Sequence, residues 1–230
     1  MSGNGFTKFI NKDHQEKQLI ATQSLLAGEE TERHRLAGDL HDGLGGLLTG
    51  VKLKLSSMKE NSIITSENME HFAHALDLLD KSIAEMRRVA HNLMPETLMH
   101  YGLRTALSDF ASQAAPEGKP EIHLSNFGDD LRYSRELEIT VYRITQELVN
   151  NSLKHAQATQ IDVQLFTETG RICVQVIDNG KGFDTGQMNL QNQGKGLQSI
   201  HDRITAFNGR FEILSEPGKG TESTLEFLIS

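Results

Sequence analysis

Glu147, Asn151 and Lys154 stand at i, i+4 and i+7 in a stretch of helical periodicity, and so on one helix face. Val141, Ile144, Leu148 and Val149 supply the opposite, apolar face. A carboxylate, an amide oxygen and an ammonium group stacked in this way suit a magnesium-bound triphosphate. Mg²⁺ takes hard oxygen ligands and keeps several waters, so one amide oxygen plus phosphates suffices. The lysine adds a point charge for phosphate, and the carboxylate can hold a water on the metal. By itself the spacing also fits a solvated polar face. Further along, the apolar run RICVQVI leads straight into Asp178-Asn179-Gly180-Lys181-Gly182-Phe183. A carboxylate at the end of a buried strand, followed by two glycines, leaves an acceptor where backbone can approach a flat ligand. Gly194-Lys195-Gly196 then precedes a helix, and free N–H groups at a helix start form an anion site. Each glycine cluster alone would read as an ordinary turn; three such elements at strand or helix ends converge on one cleft. No G-x-x-x-x-G-K-[ST] occurs, which excludes a P-loop.

A second candidate stands far upstream. His41 lies in RLAGDLHDGLGGLLTGVKLKLSSM, where Ala37, Leu40, Leu44, Leu47 and Val51 step by three and four as in a helix seam. His41 follows Leu40 and so sits at the seam's edge, open to water. Gly38, Gly43, Gly45, Gly46 and Gly50 crowd this helix, each costing about 1 kcal/mol of helix propensity relative to alanine. A close approach or a bend is the expected reason.

The elements that position these residues follow from the patterning. Met1 to Lys12 reads as a loose polar tail, and Asp13 to Arg35 as a helical lead-in. A second seam, Phe72, Leu76, Leu79, Ile83, Met86, Ala90 and Leu93, ends near Pro95. Two such helices joined by a short turn make an antiparallel hairpin. One hairpin cannot cover both seams, which predicts a homodimer with a four-helix bundle. His71 and His74 lie one turn apart on this helix, without the further ligands a metal needs.

After GLRTALSDFASQAA, an amphipathic helix, and a loop over Ala115–Pro120, the pattern turns to mixed α/β. Strands are expected over 121–127, 160–166, 171–177, 210–215 and 222–229, and helices over 135–155 and 197–208. This is an α/β sandwich with helices on one face of a sheet. Its order does not repeat βαβ, so a dinucleotide-binding Rossmann reading fails. The predicted organisation is a tail and lead-in over 1–30, a helical hairpin over 31–97 and an α/β domain over 98–230.

Bulk properties set outer limits. Over 230 residues, hydrophobic content is 37%, charged content 23% and net charge −8. The acidic balance argues against broad nucleic-acid or anionic-membrane binding. No apolar run approaches the roughly 20 residues of a membrane span. Cys173 is the only cysteine, which excludes an internal disulfide and fits a reducing, cytoplasmic setting. It alternates with inward residues on its strand and reads as a packing residue.

Taken together, the motifs resemble a known family. QELVNNSLKHA, DNGKGFD, GKGL and PGKGT resemble, in order, the N box and the glycine boxes of the ATP-binding domain of histidine kinases and gyrase/Hsp90/MutL ATPases. ETERHRLAGDLHDGLGG and RRVAHNLMPETLMHYGLRTAL resemble the phospho-acceptor region of NarX/DesK-like sensor histidine kinases. The resemblance implies that His41 accepts the γ-phosphoryl group of ATP and that Asp42 assists as base or orients the imidazole. It implies Mg²⁺ on Asn151 with Glu147 close by, and Lys154 and His155 near the phosphates. Asp178 would accept from the adenine amino group. Gly180, Gly182, Gly194 and Gly196 would shape the cleft and its lid, with Lys195, Leu197 and Thr221 in the same boxes. The implied partner is a response-regulator receiver domain, phosphorylated on aspartate, and an upstream sensor or membrane region belongs to such systems. Many members carry Gln or another polar residue five positions after the histidine to place water for dephosphorylating the regulator. Gly46 stands there and offers no side chain. Two other readings compete: a nucleotide-binding signalling scaffold without phosphotransfer, and a serine kinase or mechanical ATPase on the same nucleotide fold. The His-bearing hairpin argues against the last.

Overall fold

The computed structural model describes residues 3–61, 66–93, 96–115, 120–187 and 195–229. They fall into two compact units, one over Ala27–Glu96 and one made of Met1–Leu26 with Thr97–Ser230.

Helix α1 runs over Gly3–Gly38, so the expected loose tail is helical from Gly3. Between Gly3 and Lys12 no proline interrupts it, and Phe6, Phe9 and Ile10 recur at helical spacing. A π-turn, Asp39–Leu44, carries His41 and leads into α2, Gly45–Asn61. Helix α3 spans Ser66–Leu93. The turn expected around residues 62–65, and Pro95, lie outside the described residues. Helices α2 and α3 pack on each other, and Lys52 Nζ reaches Asp80 Oδ1 at 2.6 Å.

The seam of α3 turns inward as expected: Ile83, Met86 and Ala90 are buried. The first seam divides. Ala37 is buried, whereas Leu44, Leu47 and Val51 are exposed within the single chain. The π-turn explains the split, because its wider turn shifts the phase of every residue after it relative to the α-helical repeat.

In the other unit, α4 covers Glu96–Ala114 and begins earlier than the expected amphipathic stretch. Gly102, at φ 82°, breaks it into two helical parts, and Leu103, Ala106, Leu107 and Phe110 are buried beyond the break. The loop expected over Ala115–Pro120 lies outside the described residues at 116–119. Strands β1 (Glu121–Gly128), β2 (Gln160–Glu168), β3 (Arg171–Asp178), β4 (Arg210–Ser215) and β5 (Thr221–Leu228) form one sheet in the order β1-β2-β3-β5-β4. Only β1 and β2 run parallel, joined by α5 (Arg135–Asn151); the other pairs are antiparallel. Helix α6 covers Lys195–Ala206.

The core is the space between α4, α5 and α6 and one face of the sheet. Val141, Ile144, Leu148 and Val149 of α5 meet Ile161, Val163 and Leu165 of β2 and Ile172, Val174 and Val176 of β3. At roughly 25 cal/mol per Å² this apolar burial is the main stabilising contribution of the unit. Cys173 points to the opposite face and is nonetheless buried, and that burial pushes its thiol pKa up. The architecture is the expected one, a helical N-terminal region followed by a mixed α/β sheet domain.

Candidate functional site

Helix α5 begins at Ser134, whose Oγ accepts from the N–H of Leu137 at 3.3 Å and caps it. Buried Glu138 is held by Arg132 Nε at 2.9 Å and by the N–H of Tyr133 at 3.0 Å, which fixes the entry to the helix. One turn from the other end, Glu147 and Asn151 share a face and are half-buried. Beyond Asn151 the chain tightens no further: Ser152–Ala156 form a π-turn that closes on Gln157 in the left-handed region, φ 55°. Lys154 and His155 lie in that turn and are exposed. The straight i, i+4, i+7 face therefore holds for Glu147 and Asn151 only. A π-turn rotates each residue less than 100°, so Lys154 leaves the line.

Asp178 ends β3, between Ile161 of β2 and Thr221 of β5, and is 4% exposed. Its Oδ2 accepts from Ser152 Oγ at 2.7 Å and its Oδ1 from the N–H of Gly180 at 3.0 Å. Ser152 carries no signal in the spacing of the chain and was not among the expected site residues. It becomes visible only when the π-turn brings the end of α5 against the end of β3.

The two glycines after Asp178 are fixed by close approach. A Cβ on Gly180 would strike the carbonyl of Ala156, which accepts from the N–H of Lys181 at 2.8 Å. Gly182, at φ 57°, faces the carbonyl of Glu216, and the N–H of Gly218 donates to Lys181 O at 2.7 Å. Asn179 turns the other way, its Oδ1 accepting from the N–H groups of Thr159 and Gln160 at 2.9 and 3.1 Å. Below this loop lies the turn of the last hairpin. Ser215 Oγ accepts from Phe183 N–H at 2.9 Å, donates to Gly220 O at 2.8 Å and lies 3.1 Å from Thr221 Oγ1. Thr221 thus sits beside Asp178 in register and is tied to the loop through Ser215.

Of the third glycine cluster, Gly194 lies outside the described residues, and Lys195 and Gly196 open the first turn of α6 instead of preceding it. The Glu147 carboxylate lies against Gly196 where a side chain would stand. Leu197 is half-buried on the core. Asp178, Ser152, Asn151, Glu147, Gly180, Gly182, Gly196 and Thr221 thus belong to one unit, around the end of α5 and the ends of β3 and β5. The lid expected between Phe183 and Gly196 lies outside the described residues at 188–194.

The donor set fits magnesium bound with phosphates: one carboxylate and one amide oxygen a turn apart, both hard oxygens. Among the described residues no group of three or more His, Cys, Asp or Glu side chains is arranged to hold a metal alone.

His41 stands in the other unit. Its side chain is 66% exposed, and its Nδ1 lies 2.9 Å from Oδ1 of Asp42. The N–H of Gly45 closes the π-turn on Leu40 O. Gly45 is buried, and a Cβ there would meet Met86 Cε of α3. One glycine of this crowded helix thus serves a close approach; around Gly46 the space is open. On the N-terminal side Arg35 bridges Glu32 and Asp39, each at 2.6 Å.

Residues 32–98 match the family described as histidine kinase, and residues 136–229 the family described as histidine kinase-, DNA gyrase B- and HSP90-like ATPase. The chain is 34% identical over 195 residues to the sensor histidine kinase MctS of Rhizobium johnstonii, covering 82% of this chain and 41% of that protein. It is 27% identical to the signal transduction histidine-protein kinase/phosphatase DegS of Brevibacillus brevis, over 91% of this chain and 54% of that protein. It is 28% identical to the sensor histidine kinase ComP of Bacillus subtilis, over 88% of this chain and 27% of that protein. The chain thus spans about half or less of the curated relatives it matches. Among solved structures, the blue-light activated histidine kinase of Erythrobacter litoralis superposes with a TM-score of 0.50 at 17% identity, over 73% of this chain and 64% of that one, a likeness of fold alone. With both matches in order on one polypeptide, the first holding an exposed histidine and the second a buried aspartate followed by glycines, the chain belongs to the histidine kinases and holds both parts of their catalytic core.

Proposed function

We propose that this chain transfers the γ-phosphoryl group of ATP to His41 and passes it on to an aspartate of a response-regulator receiver domain. Residues 31–97 act as the dimerisation and phosphotransfer hairpin, and residues 98–230 bind the nucleotide. The observation that carries this reading is the His41–Asp42 pair. A carboxylate only accepts hydrogen bonds, so the imidazole proton resides on Nδ1 and the lone pair on Nε2. Nε2 is therefore the nucleophile, and Asp42 steadies the ring as it gains positive charge.

On the nucleotide side, Asp178 accepts from the adenine amino group, with Gly180, Gly182 and Thr221 framing the base. Asn151 and Glu147 hold Mg²⁺ with its waters, and Lys154 and His155 provide charge for the phosphates. Lys195, Gly196 and Leu197 open α6, whose free N–H groups favour anions, with Gly194 just before it. Magnesium, when bound, neutralises phosphate charge; the protein's share is positioning and electrostatics. The exposed Leu44, Leu47 and Val51 form the face that meets a second copy in a four-helix bundle. No described helix is long and apolar enough to cross a membrane, and we assign the core to the cytoplasm, where receiver domains reside. Gly46, without a side chain to place water, leaves the kinase direction dominant over dephosphorylation of the regulator.

The test is a two-step assay. With Mg-ATP labelled on the γ-phosphate, wild type takes up label, whereas Asn151→Ala and Asp178→Asn take up little. Added receiver domain then drains the label. Nucleotide binding with no uptake by any variant would favour the scaffold reading instead.

A further inference from the structure

The carboxylate of Asp178 is nearly cut off from water, and two donors replace that water. They come from different elements: the Gly180 N–H from its own loop and the Ser152 hydroxyl from the π-turn after α5. An acid side chain rotates freely about its last bond, with a broad two-fold profile, unless its oxygens are held. With one donor on each oxygen, the plane of the carboxylate is set, and each oxygen keeps acceptor capacity for a ligand. Ser152 is itself buried, 8% exposed, so the hydrogen bond is shielded from bulk water. Its reach depends on the π-turn, whose far end is fastened to the same loop through Ala156 O and Lys181 N–H.

We infer that Ser152 is a positioning residue for purine recognition: its hydroxyl orients Asp178 so that the carboxylate accepts from the 6-amino group of the bound base. This rests on the nucleotide reading proposed above. The hydroxyl is given to Asp178, so its contribution falls on affinity and base preference and leaves phosphoryl transfer at saturation unchanged.

A binding cycle isolates the effect. Wild type and Ser152→Ala are titrated in Mg²⁺ with ATP and with purine riboside triphosphate, which lacks the 6-amino group. Losing a hydrogen bond to a charged acceptor predicts that Ser152→Ala binds ATP about ten-fold more weakly. Binding of purine riboside triphosphate changes by less than about two-fold, so the two deletions are non-additive. The autophosphorylation KM for ATP rises with kcat nearly constant, and Ser152→Thr, which keeps the donor, restores the preference for ATP. Equal weakening toward both nucleotides, with a lowered melting temperature of the free protein, would show a merely structural serine and overturn the inference. Unchanged ATP binding by Ser152→Ala would overturn it as well. A wild type that binds neither nucleotide would instead remove the nucleotide reading on which the inference rests.

Discussion

Asp42 follows His41 directly in the chain and its Oδ1 lies 2.9 Å from the ring Nδ1, both side chains standing in water at 66% and 86% exposure. Adjacent residues on a regular helix point about 100° apart; here they meet within a π-turn. In the proposed reaction this pairing favours the tautomer that leaves Nε2 as the nucleophile. Asp42→Ala is therefore expected to slow phosphorylation of His41 by about 10²-fold, within the range of positioned acid–base groups. ATP affinity, set in the other unit, should be unchanged. Equal rates for the variant and wild type at saturating ATP would remove Asp42 from the mechanism.

Leu44, Leu47 and Val51 remain exposed although their helix packs on α3. A stripe of this kind on a helical hairpin suits the proposed bundle face for a second copy. Leu47→Glu should shift the protein from dimer to monomer in sedimentation equilibrium, with its far-ultraviolet dichroism retained. A dimer that persists in this variant would place the interface elsewhere.

Gly218 and Gly220 share nearly the same backbone, φ 82° and 81°, in the turn before β5. A Cβ on Gly218 meets nothing within 4 Å, whereas one on Gly220 runs into the carbonyl of Asp178. Gly218→Ala should cost only the left-handed strain, about 1–2 kcal/mol. Gly220→Ala adds a backbone clash and should cost about 3 kcal/mol or more, and it should also weaken ATP binding by displacing Asp178. Chemical denaturation of the two variants side by side gives the comparison.

The Tyr142 hydroxyl is buried in the core between α4 and α5 without a hydrogen-bond partner among the described residues. Burial pushes its pKa up to about 12. Tyr142→Phe removes a desolvated polar atom and should be neutral or slightly stabilising at pH 7. The pH effect has a definite sign. The raised pKa means that the folded state holds the proton more tightly than the unfolded one. Stability is thus complete below the usual tyrosine value near 10 and falls as pH rises toward 12, by about 2 kcal/mol. Melting temperatures between these pH values should fall less for Tyr142→Phe than for wild type.

Much of this was legible in the chain. The three-and-four spacing around Ile83 and Met86 gives α3, and alternation from Arg171 to Ile177 gives β3, because burial on one face leaves a period in the sequence. The glycines after Asp178 were expected to let backbone approach a ligand; Gly180 and Gly182 stand instead against the carbonyls of Ala156 and Glu216. Three features were not legible. The π-turns at His41 and at Ser152 leave no period of their own, since one extra residue per turn is settled by packing and hydrogen bonding. The helical part of α4 before the break at Gly102 lies outside the expected amphipathic stretch, which starts at that glycine. Ser152 could not be found from spacing, because its partner Asp178 is 26 residues away and meets it only across the folded unit.

The central claim is that His41 carries the phosphoryl group. Wild type and His41→Gln are incubated with Mg-ATP labelled at the γ-phosphate, and the labelled protein is split between acid and alkali. Label on wild type alone, lost in acid and stable in alkali, is the predicted result. Equal labelling of both proteins, or label that survives acid, would place the phosphate on another residue and contradict the account.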